Sequence, residues 1–96
     1  MGHFDYVDWD DPDDPAGNVQ HIAHNGVTVD EVEEILESPR AKDDVSRTTG
    51  RPVRFGWTST GKHLIVVFEA EDDGGFVIAR PVTAYVVLPE GEERHG

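Results

Sequence analysis

Three histidines are the side chains whose chemistry is easiest to name from the sequence. His63 stands beside a predicted hairpin turn, where an imidazole could act as general acid or general base because it exchanges a proton near neutral pH. His21 and His24 lie three residues apart on a predicted helix, close enough to bind one zinc ion. The simpler interpretation is that His63 is an ordinary exposed side chain and that the other two only pack the helix. No H-E-x-x-H motif or second ligand pair accompanies them, so the sequence predicts no metal site and no cofactor.

The positive charge of the chain is concentrated in one segment. The chain has 20 acidic and 8 basic residues and a formal net charge of −12, which argues against non-specific binding to a polyanion. Residues 1–14 and the predicted second helix contain acidic residues but no lysine or arginine. Between residues 40 and 63 the balance reverses, with only two carboxylates against these cations: Arg40, Lys42, Arg47, Arg51, Arg54 and Lys62. The sequence therefore predicts an acidic side and a basic side.

Several classes of protein are not favoured by the sequence. There is no cysteine, so disulfides and thiolate metal sites have no basis, and no G-x-G-x-x-G, P-loop or G-x-S-x-G pattern occurs. The acidic start is unlike a signal peptide, and no apolar run approaches the roughly 20 residues of a membrane span. We expect one cytoplasmic domain over residues 1–96, with no membrane contact, an ordered core at about 4–88 and a polar tail at 89–96.

The start of the chain predicts a short strand and a first helix. FDYVDW alternates apolar and acidic residues, as a strand at a sheet edge does. Asp14 is suited to the N-cap and Pro15 to the first position of a helix that ends at about His24. Asn25-Gly26 then supplies the expected C-terminal cap.

A second helix has the clearest start signal in the sequence. Thr28 and Glu31 have the spacing of a capping box, and Ser38-Pro39 ends the helix. Its acidic residues are expected to face solvent. The predicted buried stripe consists of Val32, Ile35 and Leu36.

The second half of the chain predicts an antiparallel sheet. Alternating residues around Phe55 and Trp57, a Ser-Thr-Gly turn and the apolar run HLIVVFE form a hairpin. FVIARPVTAYVV is the next strand, in which Pro81 predicts a bend or bulge. An exposed edge at FDYVDW or near Pro81 would allow two copies to form a homodimer.

Several short motifs together resemble the BrnT-type toxin family. They are WDD near the start, N-x-x-H-x-x-x-N-G-V from Asn18 to Val27, T-x-D-E-V-E-E-I-L in the second helix, and G-R-P-V-R-F-G with G-K-H-L-I-V-V in the hairpin. The resemblance implies a divergent member with a RelE-like ribonuclease fold. That fold is α+β: two N-terminal helices pack on one face of a twisted antiparallel sheet of three to four strands, in the order β-α-α-β-β-β.

The resemblance also implies a reaction and its residues. The family is paired with an antitoxin in type II toxin-antitoxin systems and cleaves RNA without a metal, so a cognate antitoxin and RNA are the implied partners. Arg51 matches an arginine that leads into a strand, and Arg80 matches the arginine of an S-A-R-x-A-T segment, here IARPVT. These two would bind the scissile phosphate as bidentate cations, with His63 as acid or base. Further contacts to the RNA backbone are expected from Arg47, Arg54 and Lys62.

Two alternatives to catalysis remain open in the sequence. The arginines could simply pair with the abundant carboxylates as surface ion pairs. The protein could also be a non-catalytic protein-binding module on the same fold. The second alternative is favoured by the net charge of −12 and by the absence of the basic tail that follows the arginine segment in the family, since Ala84-Tyr85-Val86-Val87 stands there.

Overall fold

The computed structural model describes residues 4–87, and these form an α+β domain. The predicted polar tail at 89–96 lies outside the described residues. The two helices and five strands are β1 (Tyr6–Val7), α1 (Asn18–His24), α2 (Val29–Glu37), β2 (Lys42–Val45), β3 (Pro52–Trp57), β4 (His63–Asp73) and β5 (Phe76–Val86). No helix in this part of the chain is long and apolar enough to cross a membrane.

The sheet differs in strand number and direction from the prediction. Its five strands lie in the order β1-β5-β4-β3-β2, and β1 is parallel to β5 while the other pairs are antiparallel. The prediction of a purely antiparallel sheet of three to four strands was therefore wrong. It missed β2, whose sequence KDDV is exposed along its whole length and has no apolar alternation.

The predicted edge strand and the predicted irregularity at the proline are confirmed. β1 is the edge strand beside β5. Along β4 and β5 the pairing changes register between Val67 and Phe68, because Val67 lies opposite Thr83 while Phe68 lies opposite Pro81. The extra residue bends β5 at the point where proline cannot donate to the sheet.

Helix α1 begins three residues later than Asp14 and Pro15 suggested. The Oδ1 atom of Asp14 instead accepts a hydrogen bond from the Ala16 N–H group (3.0 Å), which makes a local turn. Gly17 occupies the N-cap position, and the first helical N–H group, that of Asn18, donates to Asp10 Oδ2 at 2.9 Å. A Cβ atom on Gly17 would lie 2.7 Å from the Asp10 Cβ atom, so only glycine allows this approach.

Helix α2 follows the prediction closely. The Thr28 hydroxyl accepts from the Glu31 N–H group, and the Glu31 carboxylate accepts from the Thr28 N–H group, which completes the capping box. Ser38 is its C-cap residue. The predicted stripe of Val32, Ile35 and Leu36 is buried.

The hydrophobic core lies between the helices and one face of the sheet. Residues of β4 alternate, so that Leu64, Val66 and Phe68 are buried against the helices. The intervening residues of β4 point to the opposite face, which no described helix covers. We call this the outer face, and its residues include Phe55, Trp57, His63, Ile65, Val67 and Tyr85.

One charged side chain is buried on the helix side of the sheet. Arg54 is 5% exposed; its guanidinium donates to both carboxylate oxygens of Asp43 (2.6 and 3.2 Å) and to the Leu36 carbonyl at the end of α2. It also lies over the ring of Phe4, 4.9 Å from the centroid. This ion pair joins β2 to β3 and both strands to α2, and it explains how a strand whose four residues are all exposed is retained.

Candidate functional site

A cleft of about 240 Å³ lies where the start of α1 meets the β4–β5 hairpin and β3. It brings together both arginines that the sequence proposed for phosphate binding, Arg51 and Arg80. The other residues that line the cleft are Asp10, Ala16, Gly17, Asn18, His21, Glu69, Pro81 and Val82.

Arg80 is held by two carboxylates of the β1–α1 connection. Its guanidinium nitrogens lie 3.2 Å from Asp8 Oδ2 and 3.0 Å from Asp10 Oδ1. The hydrogen bond to Asp10 is the largest cause that raises the pKa of Arg80 above its ordinary value. The pKa of Asp10 is lowered, first by the hydrogen bond from the Asn18 N–H group and then by Arg80. This arginine is therefore positioned before any ligand arrives.

Asn18 fixes the carboxylates that hold Arg80. Its side-chain amide donates to the carbonyls of Asp8 (3.1 Å) and Pro81 (2.9 Å), while its Oδ1 atom accepts from the Asp10 N–H group at 2.8 Å. Asn18 is buried, and the three bonds tie the β1–α1 connection to β5. The side chain orients the floor of the cleft without a charge of its own.

Arg51 is held more loosely than Arg80. Its Nε atom lies 3.1 Å from Glu69 Oε2, and the two side chains are 40% and 48% exposed. Glu69 lies directly opposite Arg80 across β4 and β5, so its carboxylate stands between the two guanidinium groups along the sheet. An exposed ion pair of this kind contributes at most about 1 kcal/mol, so another anion can displace Glu69 from Arg51.

His21 supplies an imidazole at the wall of the cleft. It is exposed on α1 and lines the same space as Arg51 and Arg80. His24, its partner in the zinc hypothesis, is not among the lining residues. Among residues 4–87 there is no group of three or more side chains with suitable ligand geometry for a metal ion.

The chain matches no protein-family model, no curated protein and no solved structure.

The remaining residues proposed from the sequence lie away from the cleft. His63 is six residues before Glu69 on β4, roughly 20 Å away at the rise of a strand, and its ring stacks on Trp57. Arg54 is buried with Asp43, and Lys62 pairs with Glu31 at 3.0 Å. These side chains are engaged elsewhere, so we do not assign them to the cleft.

Arg47 is exposed in the turn between β2 and β3. Its side chain makes no hydrogen bond or ion pair with another residue in the range 4–87. It is not one of the residues that line the cleft. The RNA contact that the sequence predicts for Arg47 therefore stays a prediction.

Sequence reasoning missed four of the polar side chains in the cleft, namely Asp10, Asn18, His21 and Glu69, as members of one site. His21 was considered only for a metal and for helix packing. A usable signal existed for Glu69, because it shares the alternation of β4 with His63 and so had to lie on the outer face. No local pattern predicts the reciprocal hydrogen bonds between Asp10 and Asn18.

The cleft contains the groups that RNA cleavage without a metal requires. Arg51 and Arg80 are planar cations that can each bind two phosphate oxygens. Glu69 is a carboxylate and His21 an imidazole, the side-chain types that most often act as general base and general acid. Both arginines are already paired with carboxylates, so a phosphate must compete for them.

Proposed function

We propose that this protein is a metal-independent ribonuclease of the BrnT-like toxin type, and that the cleft is its active site. The observation that carries the proposal is the placement of Arg51 and Arg80 in one cleft with Glu69 and His21. The motif resemblance supports it independently, because it selects the same two arginines from the sequence alone. On this proposal the domain is a variant of the RelE-like fold with an added strand β2.

The proposed reaction begins when a phosphate of RNA replaces Glu69 on Arg51. The released Glu69 carboxylate then accepts the proton of the neighbouring ribose 2′-hydroxyl. The 2′-oxygen attacks phosphorus, the bond from phosphorus to the 5′-oxygen breaks, and protonated His21 donates its proton to that leaving oxygen. The products are a 2′,3′-cyclic phosphate and a 5′-hydroxyl end.

The two arginines have different parts in this scheme. Arg80 is fixed by Asp8 and Asp10, so it is already oriented and adds positive potential where charge develops on the phosphate. Arg51 exchanges partners, because its ion pair with Glu69 is exposed and weak. Substrate binding and base activation are then one event, since the phosphate that binds Arg51 is the group that frees Glu69.

The test is cleavage of a single-stranded RNA by the purified protein in the presence of a chelator. We expect cleavage that leaves a 2′,3′-cyclic phosphate and that stops when the 2′-hydroxyl at the scission site is replaced by hydrogen. Glu69→Gln and His21→Asn should each lower the rate by about 10²- to 10⁴-fold. Arg51→Ala and Arg80→Ala should each lower it by about 10²- to 10³-fold.

The matched control is His24→Asn, which removes the other exposed histidine of α1, outside the cleft, and should leave the rate unchanged. A protein that carries both Arg51→Ala and Arg80→Ala, purified in the same way, excludes a contaminating nuclease. If the wild type leaves RNA intact, or if the four cleft variants cleave as fast as the wild type, the proposal is wrong.

A toxin role predicts an effect in cells and a partner. Induced expression in a bacterial host should arrest growth and degrade bulk RNA, and the Arg51→Ala/Arg80→Ala variant should do neither. The cognate antitoxin is expected to cover the cleft, so co-expression of the protein encoded beside this one should restore growth. Growth arrest by the double variant at equal abundance would contradict this role.

A non-catalytic protein-binding module is the second candidate. It is favoured by one observation, that both cleft arginines are already neutralised by carboxylates in a chain of net charge −12. Retention of a partner protein together with complete absence of RNA cleavage would select this function. Homodimerisation is a related proposal, and gel filtration at increasing concentration tests it.

A further inference from the structure

Three aromatic rings form an exposed surface at the other end of the outer face. The Trp57 indole stacks on the His63 imidazole with centroids 4.5 Å apart and planes inclined by 12°. His63 in turn meets Phe55 edge to face, with centroids 6.3 Å apart. Trp57 is 60% exposed, although its ring is held in place by a cross-strand neighbour. We call Phe55, Trp57 and His63 the aromatic platform.

Two cations border the aromatic platform. Arg40 and Lys42 line a shallow cavity of about 220 Å³ together with its three rings. Among residues 4–87, neither side chain has a hydrogen bond or an ion pair, whereas Arg51, Lys62 and Arg80 are each paired with a carboxylate. Uncompensated positive charge beside an exposed indole is unusual in a chain with 20 acidic residues. The surface therefore complements a ligand that carries both a flat ring and an anion.

We propose that the aromatic platform is a second RNA subsite, which stacks one unpaired nucleobase on Trp57 while Arg40 and Lys42 bind adjacent phosphates. This inference rests on the proposed function and assigns its substrate class, single-stranded RNA. Stacking on an aromatic side chain requires a base that is not already paired, and it tolerates any base because every base has a π-face.

The platform and the cleft lie on the same face of the sheet. His63 and Glu69 are both in the outward-pointing set of β4, which includes Ile65 and Val67 between them. The separation of roughly 20 Å corresponds to about six nucleotides at the 3.4 Å rise of a stacked strand, and to fewer if the strand is extended. One strand can then place a base on Trp57 and a phosphate between Arg51 and Arg80.

A protein partner is the competing occupant, because tryptophan and arginine also dominate protein interfaces. RNA is favoured by the two unpaired cations that border the ring and by the phosphate-binding groups at the other end of the same face. These positions fit a polyanion that runs along the sheet. Binding of oligonucleotides by variants of the platform separates the two occupants.

The experiment measures binding with an oligonucleotide that the cleft cannot cleave. A ten-residue single-stranded deoxyoligonucleotide has bases and phosphates but no 2′-hydroxyl, and an abasic strand of equal length has only the backbone. In a Trp9→Phe protein, Trp57 is the single tryptophan and reports directly on stacking. We expect saturable quenching by the first probe and binding at least about fivefold weaker for the abasic strand.

The affinity of platform variants for a labelled oligonucleotide shows whether the platform is the binding site. Trp57→Ala should weaken binding by about 5- to 150-fold, and Trp57→Phe by less because a ring remains. Phe76→Ala, which removes an exposed aromatic ring at the far end of the sheet, should bind as the wild type does. The variant with Arg40→Gln and Lys42→Gln should lower the salt slope by about 1.4, the value for two phosphates on a single strand.

The outcomes separate this inference from the proposed function. If RNA is cleaved but Trp57→Ala binds both probes as the wild type does, the subsite is wrong and the nuclease stands. If binding depends on Trp57 but no RNA is cleaved, the subsite stands and the nuclease is wrong. If folded Trp57→Ala loses a partner protein while its binding of the oligonucleotide is unchanged, the face is a protein interface and the subsite is overturned.

Discussion

Arg51 and Arg54 lie three residues apart in the chain, and each binds a carboxylate, but their guanidinium groups are in opposite environments. Arg54 points toward the helices, is 5% exposed and donates to both oxygens of Asp43. Arg51 lies in the cleft, where its side chain is 40% exposed and pairs with Glu69. The same pair of chemical groups therefore serves a structural purpose at one position and is available to a ligand at the other.

The difference shows that burial, rather than charge or residue type, separates the two uses of arginine. A buried guanidinium has already lost its water, so its carboxylate cannot be exchanged without a large cost. An exposed guanidinium keeps water close by, and its ion pair opens easily. Only the second kind can bind a phosphate, which is why the cleft and not the buried pair is the candidate site.

The largest expected effect comes from removal of the carboxylate that faces the buried arginine. Asp43→Ala removes this carboxylate from the buried Arg54 guanidinium and should lower the free energy of unfolding by about 2–3 kcal/mol. The loss is smaller than for a fully buried pair because the Asp43 side chain is 53% exposed. Urea unfolding measures the change. The matched control is Asp44→Ala, the next residue of β2, which should change the free energy by no more than about 0.5 kcal/mol.

A second variant separates charge burial from general damage to β2. Adding Arg54→Met to Asp43→Ala removes both charges, and it should recover part of the lost stability. If the double variant is less stable than Asp43→Ala alone, the comparison between the buried and exposed pairs is wrong, because the loss would then come from packing of the arginine stem.

Asn18→Ala tests whether the cleft has a rigid floor as well as loose ion pairs. The substitution removes the amide that bonds to the carbonyls of Asp8 and Pro81, and it leaves the buried Pro81 carbonyl without that donor. We expect the free energy of unfolding to fall by about 1–3 kcal/mol. Asn25→Ala removes a more exposed amide at the C-cap of the same helix and should cost less; an equal loss would contradict the central place given to Asn18.

The elements that the sequence predicted well are those fixed by neighbours in the chain. The capping box of α2 needs only Thr28 and Glu31, and the bulge in β5 needs only Pro81 in a long apolar strand. The strand β2 could not be predicted in this way. It is held by pairing with β3 and by the bond from Arg54 to Asp43, and neither can be recognised in the sequence of β2 itself.

The candidate site could also be predicted only in part, because most of its contacts join residues that are not neighbours in the chain. Motif resemblance selected Arg51 and Arg80, but it could not say that Glu69 stands opposite Arg80, because that depends on strand register. The start of α1 was misplaced since its cap comes from Asp10, eight residues before Asn18, instead of from Asp14. The sequence could not show that His63 lies away from the cleft, because a histidine beside a turn gives no information on which end of the sheet it occupies.

Asp10→Asn tests how much the charge of Asp10 contributes to the stability of the cleft, through the pH dependence of unfolding. The pKa of Asp10 is lowered in the folded state, first by the Asn18 N–H group and then by Arg80. Its contribution to stability is therefore complete above about pH 4, the ordinary range of aspartate, and is lost as pH falls through the lower folded pKa. Thermal unfolding between pH 7 and pH 2.5 should show a less stable variant whose difference from the wild type narrows below about pH 4. A difference that is constant over this range would show that the charge of Asp10 is not what stabilises the loop.

The smallest expected effect belongs to the exposed pair. A double-mutant cycle with Arg51→Ala and Glu69→Gln should give a coupling energy of only about 0.2–1 kcal/mol, and salt at about 1 M should reduce it because the side chains are screened by solvent. The same cycle with Arg54→Met and Asp43→Ala should give a larger coupling that salt reduces by a smaller fraction, because the Arg54 side chain is 6% exposed although that of Asp43 is 53% exposed. A coupling above about 2 kcal/mol for Arg51 and Glu69 would mean that the pair is a fixed part of the fold. Glu69 could not then be released by a phosphate, and the proposed activation of the 2′-hydroxyl would have to be abandoned even if RNA is cleaved.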